Sequence, residues 1–325
     1  MAKLVTIIGG SGFVGRYIAH RMASLGWRVR VACRHPHEAH FVRQYGVVGQ
    51  VEPIFCNIRD DNSVRAVVAA ADAVVNCVGI LAEGGKQTFA ALQQDGAARI
   101  ARLSAEENVG RLVQISAIGA DENSPSAYAR TKAAGERAVQ EAFPGAVILR
   151  PSIIFGPEDE FFNRFATMSI LSPFVPLVNG GVKFQPVYVD DVAKAAELAL
   201  LGKAEPGIYG LGGPDVNTFR ELMSEMLSVI RRRRLIVSAP LWLGRIMGSG
   251  FDLLKTMSFG LIRGPLSRDQ VENLSRDNVV GEGVRTFADL GIEPTATEAV
   301  LPDYLWRFRP SGQYAAIKES ARNLR

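Results

Sequence analysis

Three glycines spaced three residues apart near the amino terminus form a segment that could hold phosphate groups. The segment from Gly9 to Gly15 reads GGSGFVG and lies directly between an apolar run at residues 4–8 and a helical pattern at residues 13–25. In that context Gly9 permits a tight turn, Gly12 lets the backbone approach a pyrophosphate, and Gly15 allows close helix packing. The free N–H groups at the start of the helix would face the phosphates.

Glycines can also serve only as turns and caps, but the flanking strand and helix favour a dinucleotide site. The contacts predicted for this turn are Gly9, Ser11, Gly12, Phe13, Val14 and Gly15.

The residues after the second predicted strand indicate which dinucleotide binds. An acidic residue at this place would hydrogen-bond the free ribose hydroxyl of NAD, whereas this chain has Cys33, Arg34 and His35. The guanidinium of Arg34 suits the additional 2′-phosphate of NADPH, and Arg16, directly after the last glycine, is a candidate second contact. Both arginines could instead be solvated surface groups. We therefore predict NADPH as the cofactor.

Tyr128 and Lys132 lie four residues apart, a spacing that places both side chains on one face of a helix. A lysine beside a tyrosine can lower the pKa of the phenol and can hold the cofactor ribose, so Tyr128 is a candidate general acid. The pair alone is a common pattern, and its position after the fifth predicted strand is what raises its significance. Ser116, at the end of that strand, is a further candidate cofactor contact.

Alternating strand and helix patterns must position these residues. Strand-like runs recur at residues 29–33, 51–56, 73–78, 112–116 and 146–149. Helical patterns at residues 62–71, 89–108 and 127–142 separate most of these runs. This alternation is typical of an α/β fold with a Rossmann doubly wound parallel sheet.

After Pro151 the alternation ends, and we expect a smaller mixed α/β C-terminal lobe. Short strands are predicted at residues 185–189 and 207–211, with helices at residues 191–201 and 218–230. We predict an NADP-binding Rossmann domain over residues 1–150, with interleaved contributions from residues 151–230. The smaller lobe and a docking region are predicted over residues 151–325.

Composition excludes several classes of protein. The 325 residues are 47% hydrophobic and 22% charged, as expected of one large or two joined globular domains. The formal net charge of +4 falls short of the basic footprint of a nucleic-acid binder. The spacing of Cys33, Cys56 and Cys77 predicts free core thiols and no metal site. No signal peptide, transit peptide or membrane-spanning run is predicted, so any relation to a membrane would be peripheral.

The glycine turn, Asn76-Cys77-Val78-Gly79 after the fourth predicted strand, and the Tyr128/Lys132 pair together resemble the extended or atypical short-chain dehydrogenase/reductase superfamily. The resemblance covers approximately residues 1–230. Its implied cofactor contacts are Asn57 and Ile58 beside the adenine, Val78 and Gly79 along the cofactor, and Pro151, Ser152 and Ile153 near the nicotinamide.

The same resemblance bears on catalysis. Active members usually carry a catalytic serine or threonine just past the fifth strand, where this chain has Ala117 and Ile118. Ser116 comes too early for that role. The resemblance therefore implies a protein without turnover of its own, with Tyr128 and Lys132 retained as candidate catalytic residues.

A narrower resemblance spans nearly the whole chain. Five motifs are similar to the family of NADPH-binding accessory subunits of respiratory complex I. They are LRPSIIFGPED from Leu149, FFNRFATM from Phe161, QPVYVDDV from Gln185, LSRDQVE from Leu266 and DLGIEPT from Asp289. The resemblance implies a non-catalytic subunit with a structural, assembly or stabilising role and with other complex I subunits as partners. It also implies a peripheral location on the cytoplasmic side of a bacterial inner membrane.

Two other classes of function remain open at this stage. One is an NADPH-dependent oxidoreductase or epimerase acting on a sugar nucleotide or another small carbonyl compound, which the Tyr128/Lys132 pair allows. The other is a redox-sensing regulator that reads the ratio of NADPH to NADP, although that class does not explain the distal motifs.

Residues 231–266 have no role in the predicted cofactor site. Four arginines, Arg231 to Arg234, precede an apolar stretch that includes Trp242, Leu243, Ile246 and Met247. This pattern allows docking at a lipid surface, docking on other subunits, or an ordinary core helix with a solvated basic edge.

Overall fold

The computed structural model describes residues 2–257 and 268–314. Its strands are β1 (Leu4–Ile8), β2 (Arg28–Cys33), β3 (Val51–Phe55), β4 (Ala73–Asn76), β5 (Arg111–Ile115), β6 (Val147–Pro151), β7 (Ile154–Phe155), β8 (Phe174–Val178), β9 (Lys183–Phe184), β10 (Val187–Tyr188), β11 (Gly207–Leu211), β12 (Asn217–Thr218) and β13 (Leu235–Ala239). Its α-helices are α1 (Phe13–Ser24), α2 (Asp61–Val68), α3 (Asp95–Glu106), α4 (Ala127–Ala142), α5 (Phe162–Leu171), α6 (Val189–Leu200), α7 (Phe219–Val229), α8 (Leu241–Met257), α9 (Arg268–Asn273) and α10 (Thr297–Leu305).

The main sheet of the described chain has the strand order β11-β6-β5-β4-β1-β2-β3, with every neighbouring pair parallel. The central strand β1 is buried at all five positions, as expected for a strand covered on both faces. Chain order reverses between β1 and β4, and ligands of such sheets bind in the crevice at this reversal. The predicted Rossmann doubly wound sheet is confirmed.

Helices cover both faces of this sheet. On one face, Ile18 of α1 and Val192 of α6 are buried against β1. On the other face, Val64 of α2 and Ile100 of α3 belong to a second apolar cluster, and α4 packs beside α3. The apolar spacing within each helix fixes which face it turns to the sheet, so the two helix layers follow from the sequence pattern.

The smaller lobe has a core of its own. Its apolar cluster includes residues of α5, β8, α7 and α10. A buried hydrogen bond of 2.6 Å from the Tyr304 hydroxyl to the Asp159 carboxylate joins α10 to the loop before α5. This loop contains the GPED motif, so these residues hold the lobe together.

The apolar stretch after the four arginines begins with a strand rather than a helix. β13 pairs in parallel with β8 in a two-stranded ribbon, and α8 follows directly. Leu235 and Val237 of β13 are exposed, whereas Ile236 packs on the smaller lobe. The sequence prediction missed this strand because its partner, β8, was not predicted. Within residues 2–257 and 268–314, none of the helices is long and apolar enough to cross a membrane.

Candidate cofactor site

A cavity of about 230 Å³ lies at the carboxyl ends of β1 to β4, beside the reversal of chain order. Eight of the predicted cofactor contacts line this cavity: Gly9, Ser11, Gly12, Arg34, Asn57, Ile58, Val78 and Gly79. The remaining predicted contacts do not line it: Phe13, Val14, Gly15, Arg16, Ser116, Tyr128, Lys132, Pro151, Ser152 and Ile153.

The three glycines of the turn differ in why a side chain is excluded. Gly9 has φ +79°, in the left-handed region that favours glycine. A Cβ on Gly15 would lie 2.6 Å from the Gly10 Cα, so α1 approaches the turn too closely for any side chain. Gly12 has φ −75° and ψ 179°, which any residue can adopt, and a Cβ there would meet only the Gly9 carbonyl, at 3.2 Å. Gly12 therefore keeps space free on the cavity side.

The start of α1 is suited to an anion. Its N-cap, Gly12, provides no side-chain hydrogen bond, and its first turn contains no acidic residue. The first N–H groups of a helix need acceptors, and a phosphate can supply them. Phe13 and Val14 contribute backbone at this point, while the Val14 side chain packs on the apolar core and the Phe13 ring lies against Gly156.

Among the described residues, two cations and no carboxylate line the cavity. Arg34 lies at the end of β2, as predicted, and Arg59 lies in the loop after β3. The Arg59 guanidinium donates a hydrogen bond of 3.3 Å to the Lys86 carbonyl. This bond joins the loop after β3 to the loop after β4 beside the cavity. Sequence reasoning missed Arg59, although it directly follows Asn57 and Ile58, which the resemblance placed beside the adenine.

The structure does not place Arg16 at the cavity. Its guanidinium lies 3.4 Å from the Glu158 carboxylate, donates to the Ser11 carbonyl at 3.3 Å, and stacks over the Phe41 ring at 4.9 Å. A second contact to the 2′-phosphate from Arg16 stays a prediction, and in this structure the guanidinium is engaged by Glu158 and by the carbonyl of Ser11 in the glycine turn. Sequence position could not reveal this because Glu158 lies far along the chain.

The three cysteines lie together at this end of the sheet. Cys33, Cys56 and Cys77 all line the cavity and form no disulfide. Burial raises the pKa of Cys33, that of Cys56 to about 11 and that of Cys77 to about 12. The thiols therefore remain neutral near pH 7 and add no negative charge to the cavity.

Tyr128 and Lys132 occupy one face of α4, beyond the cavity. Desolvation, followed by the nearby Asp269 carboxylate, raises the pKa of Tyr128 to about 12. This corrects the expectation that Lys132 lowers the pKa of the phenol. Desolvation lowers the pKa of Lys132 to about 8, although Glu136 and Cys77 oppose that change. The Lys132 Nζ donates to the Ile115 carbonyl at 3.4 Å, and a Cβ on Gly79, which lines the cavity, would lie 3.4 Å from it, so the buried ammonium lies directly behind the cavity wall.

The Lys132 pKa predicts how affinity for NADPH changes with pH. A cofactor ribose oxygen would accept a hydrogen bond from the protonated ammonium, so binding would raise the pKa of Lys132 above its free value of about 8. Affinity is then full below pH 8 and falls as the pH rises from 8 towards 10. Calorimetric titration at pH 7, 8 and 9 measures this fall, and Lys132→Met should remove it. If affinity falls with pH equally in the unchanged protein and in Lys132→Met, Lys132 does not hold the cofactor ribose.

Ser116 is engaged away from the cofactor cavity. Its hydroxyl donates to the buried Glu136 carboxylate, which also accepts from the Arg150 Nε at 2.9 Å. Ser116 as a cofactor contact therefore stays a prediction, and in this structure its hydroxyl belongs to a largely buried network with Glu136 and Arg150. The motif Leu149-Arg150-Pro151 thus contributes its arginine to the interior of the fold.

Ser152 is also engaged by the protein. Its hydroxyl donates to the Asn278 side-chain oxygen at 2.7 Å, although the resemblance placed Ser152 beside the nicotinamide with Pro151 and Ile153. Pro151 ends β6, and its carbonyl accepts from the Ile118 N–H at 3.0 Å. Ile153 packs on the core of the smaller lobe.

The fold and this site define a class. The chain belongs to the NAD dependent epimerase/dehydratase family, whose model matches residues 5–212. It also belongs to the family of NADH dehydrogenase (ubiquinone) 1 alpha subcomplex subunit 9, a subunit of respiratory complex I, whose members match nearly all of the chain. The mitochondrial protein of that name from Arabidopsis thaliana is 34% identical, covering 95% of this chain and 79% of the relative.

Two other similarities concern enzymes. A ceramide reductase from Caulobacter vibrioides is 29% identical over 79% of this chain and 82% of its own length. The crystal structure of dTDP-glucose 4,6-dehydratase from Bacillus anthracis in complex with NAD has a TM-score of 0.70 at 16% identity, covering 100% of both chains. At this identity the second similarity establishes the fold alone, which is an NAD(P)-binding fold.

The expected location is wrong. The sequence resemblance led us to expect the cytoplasmic side of a bacterial inner membrane. The complex I relatives that cover this chain from end to end, among them the Arabidopsis protein, are mitochondrial.

Proposed function

We propose that this protein is a non-catalytic accessory subunit of respiratory complex I that holds NADPH as a structural element. The similarity to the Arabidopsis subunit across 95% of the chain carries the proposal, and it supports other complex I subunits as the partners. A dinucleotide held between the strand ends would stabilise the folded chain by mass action. This effect amounts to ~4 kcal/mol when free cofactor stands at about a thousand times its dissociation constant.

The charges of the cavity favour NADPH over NADH. Arg34 and Arg59 are its charged lining residues, and no described lining residue offers the carboxylate that typically accepts from the 2′-hydroxyl of NAD. A guanidinium binds a phosphate through paired hydrogen bonds and gains more from a dianion than from a hydroxyl. Neutral thiols from Cys33, Cys56 and Cys77 do not oppose that anion.

An exposed apolar surface supports the assignment of partners. We use the name docking face for the apolar side chains of Phe174 and Leu235, which are paired in the β8–β13 ribbon, and of Trp242 and Ile246 on α8, which follows β13. All four side chains are exposed, Leu235 by 66% and Trp242 by 62%. Large apolar patches on a soluble surface mark interaction sites.

The four arginines divide into two kinds. Arg232 donates to the Phe308 carbonyl and Arg234 to the Ser169 carbonyl, each at 2.8 Å, so both hold the smaller lobe together. Arg231 and Arg233 are exposed. The fold therefore does not support binding of all four arginines to lipid. Residues 258–266 of the predicted docking region lie outside the described residues.

The double variant Trp242→Ser/Ile246→Ser tests the docking face. We expect it to copurify with complex I at least tenfold less than the unchanged protein, because two exposed apolar groups of this size contribute on the order of 2 to 4 kcal/mol to an interface. Its NADP(H) content should be unchanged. The measurement is native purification of the complex followed by quantitative immunodetection and release of bound nucleotide.

Val47→Ser/Val48→Ser is the matched control for this variant. These two valines are also exposed, but they lie beside β3 on the Rossmann sheet. Loss of copurification in the control alone, or unchanged copurification in the α8 variant, would place docking elsewhere. Retention on anionic vesicles without complex I would instead indicate a lipid partner.

The similarity to the ceramide reductase supports a second candidate function, an NADPH-dependent oxidoreductase. Tyr128 and Lys132 would provide its proton donor and its ribose contact. Loss of NADPH fluorescence when a carbonyl compound is added to the loaded protein, abolished in Tyr128→Phe, would favour the enzyme. If NADPH fluorescence stays constant when sugar nucleotides and long-chain carbonyl compounds are added, the result would favour the non-catalytic subunit.

A further inference from the structure

Residues 268–278, which we call the strap, cross the cleft on the side that faces Tyr128. The strap begins with α9, whose Asp269 carboxylate accepts a hydrogen bond of 2.7 Å from the Ala127 N–H and one of 3.0 Å from the Ser126 hydroxyl. Ser126 is the N-cap of α4, the helix that carries Tyr128 and Lys132. Asp269, more than a hundred residues further along the chain, thus helps to cap the N-terminus of this helix.

The strap also contacts the loops that surround the cleft. The Gln270 side chain donates to the Leu81 carbonyl in the loop after β4, at 3.4 Å. Arg276 forms an ion pair of 2.8 Å with Asp121 in the loop after β5. Asn278 accepts from the Ser152 hydroxyl in the loop after β6, at 2.7 Å. One short segment therefore spans the carboxyl ends of three adjacent strands.

The strap is firmly packed at its centre. Val271 is fully buried, and a Cβ on Gly244 of α8 would lie 3.3 Å from it. Arg245 of α8 also donates to the Glu272 carboxylate at 3.1 Å. The strap is therefore held both by the loops of the cleft and by the helix that carries part of the docking face.

We propose that the strap is a gate over the cofactor cleft, which keeps carbonyl substrates from Tyr128 and slows the exchange of bound NADPH. The inference rests on the proposed function and adds a means of regulating the same site. The cavity lies at the carboxyl ends of β1 to β4 and the strap spans those of β4 to β6, so the two meet after β4, where Leu81, the acceptor for Gln270, directly follows the cavity residue Ile80. Because covers of this kind set the rate of ligand release, NADPH would leave when the strap lifts.

Two single variants of the full chain test the gate. In Asp269→Ala, the Ala127 N–H and the Ser126 hydroxyl lose a charged acceptor, and we expect NADPH to dissociate about tenfold faster. Asn278→Ala removes the side-chain bonds to the Ser152 hydroxyl and to the Ile118 carbonyl, whereas the Asn278 backbone carbonyl still accepts from Ser152 at 3.0 Å, so the acceleration should be smaller. Release is measured by stopped-flow displacement of NADPH with excess NADP, followed by the nicotinamide fluorescence. Acrylamide quenching of bound NADPH should rise in the same order.

Asp289→Ala is the matched control. Its carboxylate accepts a backbone N–H from Thr286 at 2.7 Å, comparable to the bond from Ala127, but it lies outside the strap. Release and quenching in this variant should equal those of the unchanged protein. If the unchanged protein binds no NADP(H), the proposed function fails and the gate with it. If it binds and both strap variants release at the unchanged rate, the gate alone is overturned.

Discussion

Arg34→Asp is expected to reverse or abolish the preference for NADP(H) over NAD(H). The change removes the guanidinium at the end of β2 and puts a carboxylate at the cavity wall, where it repels a 2′-phosphate and accepts from a 2′-hydroxyl. Loss of a charge pair to a desolvated phosphate costs on the order of 2 to 5 kcal/mol, which lowers affinity for NADPH by well over tenfold. Calorimetry with both cofactors measures the change.

Arg28→Asp provides the matched control for Arg34→Asp. Arg28 is the first residue of β2, at the amino end of the strand and away from the cavity. The variant therefore makes the same change in net charge without changing the cavity lining. Its cofactor preference should equal that of the unchanged protein. Arg59→Gln should weaken NADPH binding without favouring NADH. Equal affinity of the unchanged protein for both dinucleotides would show that Arg34 does not select the cofactor.

Gly12→Val is expected to empty the cofactor site while the chain still folds. The Gly12 backbone is extended and its Cβ position is open apart from one carbonyl at 3.2 Å, so a side chain there would occupy the space kept for the pyrophosphate. The free energy of unfolding should fall by no more than the stabilisation lost with the bound nucleotide, ~4 kcal/mol under the saturating conditions given above, and the thermal midpoint should fall accordingly.

Gly15→Val separates packing from binding in the same turn. Its Cβ would lie 2.6 Å from backbone atoms of Gly9 and Gly10, so this variant should be unstable even in the absence of nucleotide. Nucleotide content after gentle purification and melting curves with and without added NADPH distinguish the two variants. A normal cofactor content in Gly12→Val would exclude the proposed position of the pyrophosphate.

The sequence predicted those parts of the fold that depend on local pattern. The boundaries of β1, β11 and α4 agree with the predicted ones, since an apolar run bounded by glycine and an N-cap serine are local signals. The glycine turn and Arg34 also lie at the cavity because strand ends in a parallel sheet share one edge.

Contacts between distant parts of the chain could not be predicted in this way. The pairing of Arg16 with Glu158, of Ser116 with Glu136 and of Ser152 with Asn278 depends on how complete elements pack. The raised pKa of Tyr128 has the same origin, because its causes are burial and a carboxylate from α9. A helix-face pattern identifies which residues are neighbours on one helix, and it contains no information on what covers them.

The last stretch of the chain completes the edge of the main sheet, and this has a consequence for the order in which a nascent chain can fold. The Arg285 carbonyl accepts from the Gly210 N–H in β11, and Phe287, Leu290 and Ile292 are buried in the same apolar cluster as β1. A ribosome must therefore release the chain beyond Ile292 before the edge at β11 and its apolar cluster can be completed. Until then, apolar surface beside β11 stays open to chaperones and to aggregation.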